Sequence, residues 1–286
     1  MEFLTDLVNG LGIGGIYAMI ALGYTMVYGI AKMLNFAHGD IIMVGGYTIV
    51  LFFAVNIYAA LIASVIFCVI LGVFIEKIAY KPLRGSSPLA VLITAIGVSC
   101  FLQSIATLIT QGNDKSIPLV LGTLKIGELT IKWCYIITII CTVIVMVSLT
   151  LFVKYSKMGR AMVAVSEDKG AAQLMGINVN SIIAITFAIG SALAALAALC
   201  YLLGGTNVIP TTGAVPGIKA FTAAVIGGIG SIPGAMIGGI LLGIIESFSN
   251  TSAIAPYTDA IEYSLLIIIL LVKPTGILGK KRREKV

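Results

Sequence analysis

Few residues in this chain could do chemistry. Its 286 residues include a single histidine, His38, which lies in "KMLNFAHGD" (32–40) close to Asn35 and Asp40. A metal site is not expected there, because no cysteine or second ligand motif accompanies the histidine. The patterns GxSxG, HExxH, GxxxxGK[ST] and strand-linked GxGxxG are absent from the sequence. We therefore expect a chain that is not an enzyme, holds no cofactor and does not hydrolyse ATP by itself.

The composition indicates what these residues are built into. The chain is 59% hydrophobic and only 10% charged, with several apolar runs longer than the roughly 18 residues typical of a spanning helix. We predict an all-α fold: one polytopic transmembrane helical bundle, forming a single domain over 1–286. The unbroken apolar runs exclude a membrane β-barrel, whose strands alternate. The first run lacks a basic leader and a cleavage-type stop, so we expect it to be retained as a span.

We predict about eight spans. Their approximate bounds are 5–30, 40–57, 58–76, 88–110, 132–153, 181–204, 217–247 and 258–273. The seventh contains "GGIGSIPG", and its two parts are each too short for a straight crossing at about 1.5 Å per residue. We interpret it as a broken pair of half-length or tilted helices. The loop 111–133 is the longest exterior segment and predicts a small hairpin.

The formal net charge is +6, and its distribution predicts the orientation. With these spans, most basic residues and the basic tail 279–286 fall on one side, and Lys115, Lys125 and Lys132 fall on the other. The positive-inside rule makes the first side cytoplasmic, with the C-terminus inside and the N-terminus outside. A short basic tail beside a span is typical of a topology anchor or an anionic-lipid contact, so no nucleic-acid partner is expected.

The segment 158–178, "MGRAMVAVSEDKGAAQLMGIN", is polar between two apolar runs. We expect Ser166 to cap a helix of about nine residues with Glu167 and Asp168 in its first turn. Gly176 would end this helix in the left-handed conformation. A capped helix with small residues and an apolar flank fits a groove on a partner protein. The alternative is a helix lying on the membrane surface, although the segment lacks the aromatic and strongly basic faces of one.

Two other stretches could line a transport pathway. The first is the stretch 32–40, because polar residues at membrane depth tend to face a cavity. Its candidate residues are Asn35, His38, Gly39 and Asp40. The alternative is a structural turn whose polar groups are satisfied. The second is the glycine-rich break in the seventh predicted span. Its glycines allow tight helix packing and could also leave backbone groups free for a polar substrate. Its candidate residues are Gly227, Gly228 and Gly230. We expect Lys219 to extend to the outer interface.

Four long stretches resemble a known family. They are "NGLGIGGIYAMIALGYTMVYGIAKMLNFAHGD", "YSKMGRAMVAVSEDKGAAQLMGINVN", "GIKAFTAAVIGGIGSIPGAMIGGILLGIIES" and "LLIIILLVKPTGILG". They are similar to the LivH-type permease of bacterial branched-chain amino-acid ABC importers, and the resemblance covers about residues 8–279. It implies uptake of leucine, isoleucine or valine across the inner membrane. Related permeases serve urea and short amides, so those solutes remain alternatives.

The resemblance also implies partners. They are a second related permease, two ATPase subunits that bind ATP and Mg, and a soluble substrate-binding protein outside. The polar segment would be the coupling helix that contacts an ATPase. The residues that match that helix are Arg160, Ser166, Glu167, Asp168, Ala171, Ala172, Gly176 and Asn178. A stand-alone secondary transporter is the competing class; it would need an internal inverted repeat, and none is clear in the sequence.

Overall fold

The structure is a computed structural model that describes residues 2–119, 121–126, 129–252 and 254–279. Over these ranges the chain is an all-α bundle with one small hairpin, as predicted. The helices are α1 Glu2–Ala31, α2 His38–Phe53, α3 Ile57–Ile75, α4 Pro88–Thr110, α5 Trp133–Tyr155, α6 Lys157–Glu167, α7 Lys169–Leu174, α8 Val179–Leu203, α9 Ala214–Gly227, α10 Ile232–Thr251 and α11 Thr258–Val272. Strands β1 Thr123–Ile126 and β2 Leu129–Lys132 pair antiparallel, which confirms the hairpin. Short turns of helix cover Glu76–Tyr80, Lys81–Leu83 and Ala255–Tyr257.

Within the described ranges, 7 helices are long and apolar enough to cross a membrane. Two apolar helices are shorter: α2 has 16 residues and α9 has 14, about 24 and 21 Å at about 1.5 Å per residue. The predicted span 40–57 is therefore only partial. The predicted half-helix pair is also partly wrong, because α10 has 20 residues and is long enough to span by itself.

Helix α1 forms the centre of the bundle and packs against α5, α8, α9 and α10. Glycines allow its closest approach, to α10: a Cβ added at Gly14 would lie 2.7 Å from the Ile240 Cα. Such small-residue contacts are how membrane helices gain packing energy without a hydrophobic effect between them. On another face, the Thr142 hydroxyl of α5 donates to the Gly15 carbonyl at 3.0 Å. The central helix thus places small residues where its neighbours approach most closely.

The bundle contains two units of the same construction. One runs α1, an irregular segment 32–37, α2 and α3; the other runs α8, an irregular segment 204–213, α9 and α10. The first helix of each unit packs against the other unit: α1 contacts α8, α9 and α10, and α8 contacts α1, α2 and α3. Both short helices begin where Gly39 and Gly213 touch through their backbones, with no room for a Cβ on either. The structure thus has a repeated arrangement that the sequence does not make clear.

The two ends of the bundle are distinguished by the elements beside α5. The β-hairpin precedes α5 and α6 follows it, so the hairpin and the α6–α7 segment lie at opposite ends. The Lys169 ammonium donates to the Ala31 carbonyl at 3.0 Å, which places the end of α1 with α7. The beginning of α1 therefore lies at the hairpin end. This agrees with the predicted spans, which place the N-terminus on the side opposite the segment that contains α7.

The glycine-rich break is a tight turn near the α7 end. Gly228 and Gly230 have φ of 106° and 96°, which favours glycine, and Gly230 approaches Gly29 near the end of α1. The prediction that this break frees backbone groups is wrong. The carbonyls of Ile226 and Gly227 accept from the N–H groups of Ile277 and Leu278 at 2.8 and 2.9 Å, so the chain after α11 satisfies them.

Candidate functional site

The polar segment 158–178 is folded as two helices rather than one. Ser166 lies inside α6, where its hydroxyl donates to the Val163 carbonyl at 2.7 Å, so its predicted role as a cap is wrong. Ser156 caps α6. Asp168 was expected in the first turn after a cap, but it is itself the cap of α7. Its side chain accepts hydrogen bonds from Gly170 N–H at 2.8 Å and Ala171 N–H at 3.0 Å.

The end of this segment follows the prediction. Gly176 has φ of 82° and stops α7, and the Asn178 side chain then caps α8 by accepting from Ser181 N–H at 3.2 Å. Each helix thus begins at its own polar cap, and this fixes the path of the chain between the two flanking spans. The segment is an ordered element rather than a loose loop.

The exposed side of the segment is mixed in character. Most of the predicted contact residues are exposed, and they are Arg160, Glu167, Asp168, Ala171, Gly176 and Asn178. Ala172 faces inward with 2% exposure, so it cannot make the predicted contact. Leu174 and Met175 are 92% and 79% exposed. Two apolar side chains so exposed at a bundle end are unusual for a surface in water and are typical of a protein contact.

The stretch around His38 ties several helices together. The Asn35 side-chain oxygen accepts from the Tyr80 hydroxyl at 2.9 Å, and the buried Asp40 accepts from the Gln103 amide at 2.8 Å. His38 is 1% exposed and packs edge-on to Tyr24 at 4.8 Å between ring centres. Its Nε2 has no hydrogen-bond partner among the described residues. Asn35 and Asp40 therefore match the structural-turn alternative, and His38 alone keeps an unused polar atom.

A narrow cavity lies beside these residues. Tyr24, Tyr28, Asn35, His38 and Phe221 line it, and its volume is about 10 Å³. A space of this size holds at most about one water molecule. Among the described residues, this cavity leaves no open path for an amino-acid-sized solute at His38.

A buried charged cluster was missed by the sequence analysis. Lys219 of α9 is 4% exposed, so the expectation that it extends to the interface is wrong. Its ammonium lies 3.3 Å from Glu246 of α10, and 3.1 and 3.3 Å from Asp259 and Glu262 of α11. Glu262 is fully buried at 0% exposure. The available signal was the presence of charged residues inside three neighbouring apolar runs, because charges at membrane depth need partners.

This cluster fixes α11. The helix is otherwise peripheral, since only 11% of its apolar window is buried within the chain. Its ion pairs join it to Lys219 of α9, and the Thr258 hydroxyl donates to the Asn250 side chain of α10 at 3.1 Å. Because α9 begins at the Gly39–Gly213 contact, the cluster also holds the helix that adjoins the centre of the bundle.

These features define a multi-pass helical membrane protein: a packed bundle with two irregular segments before short helices and an ordered, partly apolar element at one end. A family model described as "Branched-chain amino acid transport system / permease component" matches residues 7–270. The chain belongs to this family of ABC transport permeases, which are transport subunits and not enzymes themselves.

Curated relatives agree with this assignment over the full chain. The high-affinity branched-chain amino acid transport system permease protein BraD of Pseudomonas aeruginosa is 46% identical, covering 100% of this chain and 98% of its own. The permease protein LivH of Escherichia coli is 43% identical with the same coverage. A probable LivH permease of Methanocaldococcus jannaschii is 28% identical over 91% of this chain and 88% of its own.

Proposed function

We propose that this chain is a permease subunit of an ATP-driven ABC importer for leucine, isoleucine and valine in the bacterial inner membrane. The observation that carries the proposal is the 46% identity to BraD over the whole chain. That relative is named for branched-chain amino acid transport. Urea, short amides or other amino acids are the alternative solutes.

The proposal assigns a place to each partner. A soluble binding protein delivers the solute at the hairpin end, and a second related permease completes the pathway. Two ATPase subunits bind ATP and Mg at the α7 end, which makes that end cytoplasmic and the N-terminus external. In this arrangement the single domain 1–286 contributes half of the pathway.

The segment α6–α7 is the proposed contact with an ATPase. Its exposed Leu174 and Met175 supply apolar area, and its caps hold the two helices in one geometry. ATP binding would then move this segment as a unit. Of the predicted pathway residues, His38 is the one proposed to face the pathway, because its Nε2 has no hydrogen-bond partner among the described residues.

The competing class is a secondary transporter, which the repeated helix arrangement favours, because such transporters are often built from inverted repeats. A pull-down separates the two classes. The chain is tagged, extracted from native membranes in mild detergent, and its partners are identified by mass spectrometry. We expect Walker-motif ATPases and a second permease; a chain that purifies alone and moves solute without ATP contradicts the proposal.

A matched pair of variants makes this experiment specific to α7. Replacing Leu174 and Met175 together by Ser should remove the ATPases and leave the second permease bound. The control is Ile254→Ser, which changes a residue 47% exposed at the opposite end of the bundle. Loss of the ATPases in both variants, or in neither, contradicts the assigned contact.

A further inference from the structure

A cleft lies beside α7, on the side that faces the spans. Its volume is about 580 Å³, and Arg84, Lys169, Gln173, Asn178, Asn180 and Ile183 are among its lining residues. Ile183 is five residues beyond the α8 cap Asn178, which is about 7 Å along the helix. The cleft therefore begins at the end of the bundle and reaches a short distance into the membrane-spanning part.

Positive charge dominates this cleft. Arg84 forms an ion pair with the buried Glu76 and donates to the Asn180 side chain, and its Nε is buried without a hydrogen-bond partner among the described residues. Lys169 donates one hydrogen bond, to the Ala31 carbonyl. Within the part of the chain that the structure describes, no acidic side chain pairs with Lys169. The cleft thus holds two cations and one compensating carboxylate.

The charge of Arg84 acts on Lys169. Burial lowers the pKa of Lys169, and the nearby Arg84 charge lowers that pKa further. An anion beside Lys169 would offset the effect of the Arg84 charge, since an opposite charge favours the charged form of lysine. The amide groups of Gln173, Asn178 and Asn180 add neutral hydrogen-bond donors around the same space.

We propose that this cleft is a binding site for a phosphate group, with Lys169 and Arg84 as its charged contacts. A phosphate offers several acceptor oxygens to this set of donors, and it is the anionic group of the cytoplasmic leaflet. Basic pockets between membrane helices on that side take lipid head groups, and this cleft lies between α7 and the first turns of the spanning helix α8. Inorganic phosphate presents the same chemistry from solution. The cytoplasmic placement rests on the proposed function.

The test uses the assembled importer in nanodiscs of phosphatidylcholine, with or without phosphatidylglycerol. Native mass spectrometry counts the phosphatidylglycerol molecules retained by the complex after mild delipidation. We expect retention to fall about five-fold in Lys169→Gln, because removing one basic side chain near an anionic head group weakens binding by about that factor. Lys157→Gln is the matched control, since it removes an exposed lysine of α6 at the same end without touching the cleft, and its retention should equal the parental value.

A second measurement identifies the source of the anion. Inorganic phosphate is added to the complex in phosphatidylcholine nanodiscs, and the thermal unfolding midpoint is followed. A rise in the parental complex but not in Lys169→Gln, without lipid retention, supports a phosphate site filled from solution. Equal behaviour of the two lysine variants in both measurements overturns the site. Loss of the ATPases in Lys169→Gln, with lipid retention unchanged, also overturns it and assigns the cleft to a protein contact, while the proposed function stands.

Discussion

Removing the charge of Lys219 is the perturbation whose size the structure defines best. In Lys219→Met, the fully buried Glu262 and the 16% exposed side chain of Glu246 lose their cation. Leaving a buried charge unpaired costs about 3–5 kcal/mol. The 68% exposed side chain of Asp259 adds less than about 1 kcal/mol. We expect the free energy of unfolding to fall by about 3 kcal/mol, the lower part of that range because Glu246 keeps some solvent.

The second step tests the reason for that loss. Glu262→Gln removes the most buried carboxylate, so it should restore about 1–2 kcal/mol in the Lys219→Met background. In the parental background the same change leaves Lys219 paired with Glu246 and Asp259, so no buried charge is left unpaired and the cost should stay below the ~3–5 kcal/mol of a broken buried pair. The assay is unfolding in mixed micelles with increasing SDS, followed by circular dichroism, with Lys157→Met as the exposed-lysine control. The reasoning fails if Glu262→Gln has the same effect in both backgrounds.

Three further predictions concern the segment and the helix contact. Gly176→Val should reduce uptake while membrane abundance stays normal, because a β-branched residue resists the φ of 82°. The control Gly85→Val, where an added Cβ meets nothing and φ is not positive, should transport at the parental rate. Equal rates for both variants would count against a coupling role. Asp168→Ala should weaken α7 by about 1 kcal/mol and reduce ATPase retention in a pull-down, whereas Asp168→Asn should retain most of it; no difference between them would show that the cap is unimportant. Gly39→Val should lower the amount of folded protein on size-exclusion chromatography, because an added Cβ meets the Gly213 backbone. The control Gly97→Val has open space around it and should not lower that amount. Equal loss in both variants would refute the close contact.

Much of the fold could be predicted because the hydrophobicity of successive residues indicates which segments form spanning helices. Long apolar runs predicted the spanning helices, and the Gly and Pro content of 111–133 predicted the hairpin. The left-handed end of α7 followed from Gly176, since few other residues take that conformation. These features depend on local sequence, which is why periodicity and turn chemistry were sufficient.

The errors arose where distant contacts decide the structure. Lys219 is buried because acidic residues on α10 and α11 reach it, and no local pattern around Lys219 indicates them. The turn at Gly228 and Gly230 is satisfied by residues after α11, which are about fifty positions away. Ser166 and Asp168 are both good caps, so the choice between them depends on how α6 packs on α5. The repeated arrangement appears only in which helices touch.

The most direct test of the central claim is uptake by the reconstituted complex. This chain, its co-purified permease and the ATPases are placed in liposomes, with the binding protein and radiolabelled leucine outside and ATP inside. The account predicts accumulation of leucine that requires ATP and is lost in the Leu174→Ser, Met175→Ser double variant. Accumulation without ATP, or at the parental rate in that variant, would contradict it.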